Sequence, residues 1–117
     1  EENSQGREQV TSFSVYLLTG AKQDLLQLHK YVALNDSVEK ADRLIDHLQR
    51  TCSRLKTMPE RGRIPPELER IGIREFREIT LKPYRIIYSV AKFQVLAYCI
   101  LDGRRDLQDL LEERLLR

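Results

Sequence analysis

The chain has 117 residues, enough for one domain with one modest core. Its 20 Lys and Arg against 18 Asp and Glu leave a formal charge of +2. Bulk charge therefore does not mark a polyanion binder, and any contact with nucleic acid has to come from local placement of arginines. Cys52 and Cys99 occur without a Cys-x-x-Cys pair or a Cys/His cluster, which excludes a zinc site. Both fall in apolar patterns and read as reduced core thiols. The apolar runs are too short to cross a bilayer and no signal-peptide core is visible. No membrane partner is expected, and a reducing cytoplasm is the expected compartment.

Residues 1–11 are polar and aperiodic and read as a flexible N-terminal arm, leaving residues 12–117 as a single domain. Residues 12–18 are β-prone and form the first predicted strand. Thr19-Gly20 breaks it. Ala21, Leu25, Leu28 and Val32 then share one stripe, which predicts a helix over residues 21–33. Asp36 followed by Glu39 is a helix-start signature for a second helix reaching to about residue 57. Its seam is Val38, Ala41, Leu44, Ile45, Leu48, Cys52 and Leu55, and Pro59 bounds it. Two such helices with a short loop predict an antiparallel hairpin. Residues 59–66 are a Pro/Gly-rich loop, and residues 67–72 fit no single pattern.

Residues 73–81 read as a strand with a broken phase. Phe76 falls on one parity and Ile79 and Leu81 on the other, which predicts a bulge there. Arg74-Glu75 and Arg77-Glu78 read as solvent-facing pairs. In residues 84–90, Tyr84, Ile86, Tyr88 and Val90 alternate with Arg85, Ile87 and Ser89, the period of a strand. A second apolar run covers residues 93–101, with Ala91 and Lys92 between, so the two form an antiparallel hairpin. Neither face of that second run is polar, which places it centrally. Asp102-Gly103 ends it. Leu107, Leu110, Leu111 and Leu115 then give residues 106–117 one apolar helical face. The order β-α-α-β-β-β-α predicts an α+β fold of two layers, a helical hairpin packed on an antiparallel sheet with the other sheet face partly open.

The chemistry is narrowed mostly by exclusion. No nucleophile elbow, phosphate loop, dinucleotide fingerprint or acidic metal cluster is present, and His29 and His47 sit at helix-stripe edges. What remains is a set of arginines: Arg85 in mid-strand, Arg104 and Arg105 after the last strand, Arg61 and Arg63 in the proline loop. Guanidinium groups bind phosphate bidentately and stabilise developing negative charge. The structural alternative is that Arg85 pairs with Asp102 or Glu78.

The run from Arg74 through Tyr84-Arg85-x-x-Tyr88, followed by Asp102-Gly-Arg-Arg-Asp106, resembles the RelE/ParE superfamily of bacterial toxins. Ala21-x-x-Asp24-Leu25, Met58-Pro59-Glu-Arg-Gly62-Arg63 and Pro66-Glu67-Leu68 agree with it in order. The resemblance is closer to the ParE-like branch. It implies a toxin of a type II toxin–antitoxin pair, without cofactor or metal, neutralised by a cognate antitoxin. It also implies one of two targets. ParE-like members poison DNA gyrase; RelE-like members cut mRNA in the ribosome with lysines, arginines and a late tyrosine. Carried over residue by residue, the nuclease arginines match Arg85 and Arg105. The two lysines fall on Phe76 and Glu78 and the tyrosine on Leu111. Each missing acid/base group costs about 10²- to 10⁴-fold, which favours the gyrase-directed, non-catalytic branch. If the chain is nucleolytic, the catalytic set is Arg85, Arg105 and Glu67, with Glu67 as base. The expected binding surface is Arg85, Arg104 and Arg105 with Leu107 and Leu111 of the last helix. On this reading Arg85→Ala lowers toxicity more than stability.

Overall fold

The structure, a computed structural model, describes residues 12–116. The arm expected over residues 1–11 lies outside the described residues. The elements are β1 (Ser14–Leu17), α1 (Thr19–Asn35), α2 (Val38–Ser53), a 3₁₀ turn (Arg54–Lys56), α3 (Pro66–Glu69), β2 (Arg77–Leu81), β3 (Tyr84–Ala91), β4 (Gln94–Asp102) and α4 (Gln108–Leu116). The sheet order is β1-β4-β3-β2, so β4, apolar from Val95 to Leu101, is central, as its sequence requires.

The α+β sandwich with its helical hairpin is present, but the sheet is mixed rather than antiparallel. β2, β3 and β4 pair antiparallel, whereas β1 lies parallel to β4, with Val15 opposite Val95. Parallel pairing needs a long crossover, and everything between residues 18 and 93 supplies it. A sequence pattern shows that β1 is a strand but not which way its partner runs.

The bulge sits elsewhere than predicted. β2 begins only at Arg77, so Phe76 lies outside the strand and its parity is not constrained by the pleat. Its ring packs edge-on against Tyr98 with centroids 5.2 Å apart. The irregularity is in β4: Ile87 faces Cys99 and Tyr88 faces Ala97, leaving Tyr98 as the extra residue. The β3–β4 turn is Lys92-Phe93, one residue later than expected, with Ala91 opposite Gln94. Phe93 adopts φ 61°, a left-handed conformation that Gly or Asn usually fills. The turn therefore carries no glycine signal. α2 is capped by Ser37 rather than Asp36: the Ser37 hydroxyl accepts from the Lys40 amide.

Two cores flank the sheet. Under the helical hairpin, Ala21, Leu25, Leu48 and Cys52 pack on Ile86, Ala97 and Ile100. On the other face, Leu68 of α3 and Leu107 and Leu111 beside and within α4 pack on Ile87, Cys99 and Leu101. The face expected to be partly open is thus covered in part by α3 and α4. Each fully buried leucine or isoleucine contributes about 1.5–3 kcal/mol, which holds the short α4 in place. Cys52 and Cys99 are free and buried, one in each core, and burial pushes both thiols up to about 11. Among the described residues no helix is long and apolar enough to cross a membrane.

Candidate functional site

Register decides what Arg85 can reach. Glu78 pairs with Ile87 and Thr80 with Arg85 across β2 and β3. Glu78 and Arg85 are therefore diagonal neighbours on the face away from the hairpin. Glu67 arrives above them from α3, whose start is set by Pro65-Pro66 and whose Leu68 is buried. Arg85 Nη1 and Nη2 each donate to Glu67 across 2.7 Å, and its Nε donates to Glu78 Oε1 across 2.6 Å. Arg63 of the proline loop closes the row, its Nε donating to Glu78 Oε2 at 2.7 Å. Gly103 lets the arginine stem lie flat, since a Cβ there would come within 2.9 Å of Arg85 Cγ and Cδ.

The result is a neutral row of two arginines and two glutamates. Glu78 is 2 % exposed, contrary to its expected solvent-facing position. The Arg85 hydrogen bonds hold the Glu67 carboxyl below its ordinary value of 4.5, and the two carboxylates keep Arg85 charged. Glu67 is consequently an ionised, doubly bonded carboxylate and a weak base, far from the near-neutral pKa that proton transfer favours. Its folded-state pKa is depressed, so its contribution to stability is full above about 4.5 and is lost as the pH falls through the lower folded value. A melting-temperature series from pH 7 to pH 3 should fall below pH 4.5, and Glu67→Gln should flatten that fall.

The other expected arginines are not in this row. Arg104 is exposed and pairs bidentately with Asp102, its Nη2 at 2.7 Å from Oδ2, which pulls the Asp102 carboxyl down to about 2. Arg105 is exposed. Together they line a groove of about 450 Å³ with Tyr31 and Tyr84, on the α1 side of the sheet. Arg85 and Glu67 are thus brought together, while Arg104 and Arg105 face another groove. Leu107 and Leu111, expected on a binding surface, are 1 % and 0 % exposed because the apolar face of α4 is spent on the sheet. Phe76, Glu78 and Leu111, where the resemblance would place the lysines and tyrosine of a RelE-like nuclease, are all buried.

Sequence reasoning missed two linkages. One is the Arg63–Glu78 bridge. The other is Asp24 with Arg114. Asp24 Oδ2 accepts the Ile100 amide at 2.8 Å, and Arg114 Nη2 donates to Asp24 Oδ2 at 3.0 Å and to the Tyr98 carbonyl at 3.3 Å. β1 pairs with β4 only through Ala97. These two side chains therefore satisfy β4 backbone groups on the side where the β1 pairing has ended, opposite β3. The only sequence signal was Asp24 on an otherwise apolar helix edge. Among the described residues no group of three or more His, Cys, Asp or Glu could hold a metal ion.

Residues 15–107 match the family described as the ParE toxin of the type II toxin–antitoxin system parDE. The chain belongs to the ParE toxin family. No curated protein matches it at the sequence level. Among solved structures, the ParE-family chain resembles one from the chromosomal ParDE toxin–antitoxin system of P. aeruginosa, at 17 % identity and a TM-score of 0.66. That match covers 78 % of this chain and 96 % of the other. It also resembles a chain from the RelBE2 toxin–antitoxin complex of Mycobacterium tuberculosis, at 17 % identity and a TM-score of 0.59, covering 80 % and 94 %. At that identity the likeness is one of fold: a helical hairpin packed on a four-strand mixed sheet.

Proposed function

We propose that this ParE-family toxin arrests growth by binding DNA gyrase, and that a cognate antitoxin neutralises it. The observation that carries the reading is the neutral Arg63–Glu78–Arg85–Glu67 row. Both of the Arg85 edges that would grip a phosphate are occupied by carboxylates. The only candidate base, Glu67, is bonded to Arg85 through both oxygens, and the lysine and tyrosine positions of a nuclease are hydrophobic or consumed. Such a face recognises a partner by shape rather than by transferring protons. An antitoxin has a surface to cover on the opposite side. Leu26 and Tyr31 of α1 are 71 % and 66 % exposed, and Leu26 lines an apolar groove of about 740 Å³ with Val15, Tyr16 and Ile45. Exposed apolar surface of that kind marks a protein contact, and β1, the outer strand of the sheet among the described residues, adjoins it.

Induced expression in a bacterial host with parallel pulse labelling of DNA and protein synthesis tests the reading. DNA synthesis is expected to stop first, and purified toxin is expected to inhibit supercoiling by purified gyrase. Protein synthesis stopping first, with messages cut on ribosomes, overturns it and makes the chain an mRNA endonuclease.

A further inference from the structure

The basic segment that carries Arg63 has further cations, which the toxin reading does not use, and a geometry of its own. Residues 54–63 contain Arg54, Lys56, Arg61 and Arg63 against Glu60, a net +3 in ten residues, compared with +2 for the whole chain. Arg54, Arg61 and Arg63 come together around a groove of about 370 Å³ between the end of α2, the proline loop and β2. All three are exposed. Among the described residues Arg54 and Arg61 form no ion pair, and Arg63 uses only its Nε, on Glu78. The one carboxylate in the groove wall, Glu78, has both oxygens engaged by arginines, so it does not compete for an incoming cation-seeking group.

The loop is also held still. Arg63 and Glu78 exchange backbone hydrogen bonds, Arg63 N to Glu78 O at 3.1 Å and Glu78 N to Arg63 O at 2.7 Å. The Gly62 amide donates to the buried Tyr88 hydroxyl at 3.0 Å, and Arg77 Nη1 donates to the Gly62 carbonyl at 2.8 Å. With the backbone at residues 62–63 fixed, an incoming anion has only the arginine side chains to order.

We propose that Arg54, Arg61 and Arg63 form a preorganised groove that holds the phosphate backbone of duplex DNA. The groove wall has no aromatic side chain. Single strands are gripped by stacking their bases on aromatic rings, so the groove suits a duplex, whose bases are already stacked and whose phosphates alone are offered. This rests on the gyrase reading only for where the duplex comes from, because gyrase works on DNA.

The test is fluorescence anisotropy of the full chain with a labelled 20-bp duplex and a single strand of the same length, over a series of salt concentrations and without gyrase. Each phosphate contact contributes about 0.9 to the slope of log affinity against log salt. Arg54→Gln/Arg61→Gln leaves the Glu78 pairs intact, and unchanged circular dichroism confirms its fold. It is expected to reduce the duplex slope by about two. An unchanged slope in a folded double variant overturns the groove, as does tighter binding of the single strand than of the duplex. Gyrase inhibition is scored separately in the presence of the same variant. Loss of duplex affinity with inhibition retained supports the groove as a DNA contact while removing gyrase–DNA as its setting. A purified chain that inhibits gyrase but binds no duplex overturns the groove and leaves the toxin reading standing.

Discussion

Arg85→Ala is expected to be strongly destabilising. The arginine makes three charge-assisted hydrogen bonds to two carboxylates, one of which is 2 % exposed. Removing one partner of a buried ion pair leaves an uncompensated charge and costs about 3–5 kcal/mol. A small domain is stable by only about 5–15 kcal/mol, so the substitution removes between about a fifth and all of that stability. Arg63 remains on Glu78 and softens the loss on that side, while Glu67 loses both of its bonds. Chemical denaturation of purified wild type and variant measures the cost directly. Adding Glu67→Gln to Arg85→Ala should recover part of the stability, because the stranded charge disappears. Fully additive losses would show that the two side chains do not interact. The sequence reading expected Arg85→Ala to lower toxicity more than stability. From the geometry we expect the opposite order: toxicity should fall in step with the folded fraction, and a folded but non-toxic variant would return Arg85 to the functional surface.

Much of the architecture is written in periodicity. The stripes of α1 and α2, the alternation of β3, the apolar β4 and the leucine face of α4 each announce both an element and the surface it buries. What stays hidden is set by distant partners. The direction of β1 depends on where β4 runs eighty residues later, and the bulge at Tyr98 depends on the register of β3. The candidate site follows the same division. Arginines at a sheet end are visible as letters, and the pairing of Arg85 with Glu78 was one of two alternatives the spacing allowed. Its pairing with Glu67 was not visible, since that needs a four-residue helix placed over the sheet by Leu68 and by Gln108, whose Nε2 donates to the Glu67 carbonyl at 2.8 Å. Arg63 read as rim charge because nothing in the order of residues shows that the proline loop folds back onto β2 as an added bridge.

That fold-back depends on Gly62, and Gly62→Ala should be as damaging as the loss of a core side chain. A Cβ at residue 62 would lie 2.4 Å from the Glu78 carbonyl oxygen and 2.6 Å from the Tyr88 hydroxyl. Neither neighbour can yield. The carbonyl accepts the Arg63 amide, and the hydroxyl belongs to a fully buried ring that accepts the Gly62 amide. Relief requires the loop to lift off β2, which breaks both bonds and leaves the Tyr88 phenol unsatisfied. Overpacking of about 1–3 kcal/mol and a stranded buried polar group of about 1–3 kcal/mol both apply, so a loss of about 2–6 kcal/mol in urea unfolding is the expected result. Gly72 provides the contrast. Nothing lies within 4 Å of its Cβ position, but its φ is +81°. Gly72→Ala should cost about 1–2 kcal/mol through backbone strain alone, and Asn, which tolerates that conformation, should cost less. At residue 62 Asn should be worse than Ala, because the obstacle there is space. The same variant reaches the basic groove, since Arg61 and Arg63 flank the displaced glycine. Under conditions where Gly62→Ala is still folded, its duplex affinity should fall although no arginine has been changed. A Gly62→Ala protein as stable as wild type would mean that the loop is not clamped to β2, and the preorganisation of the arginines would go with it.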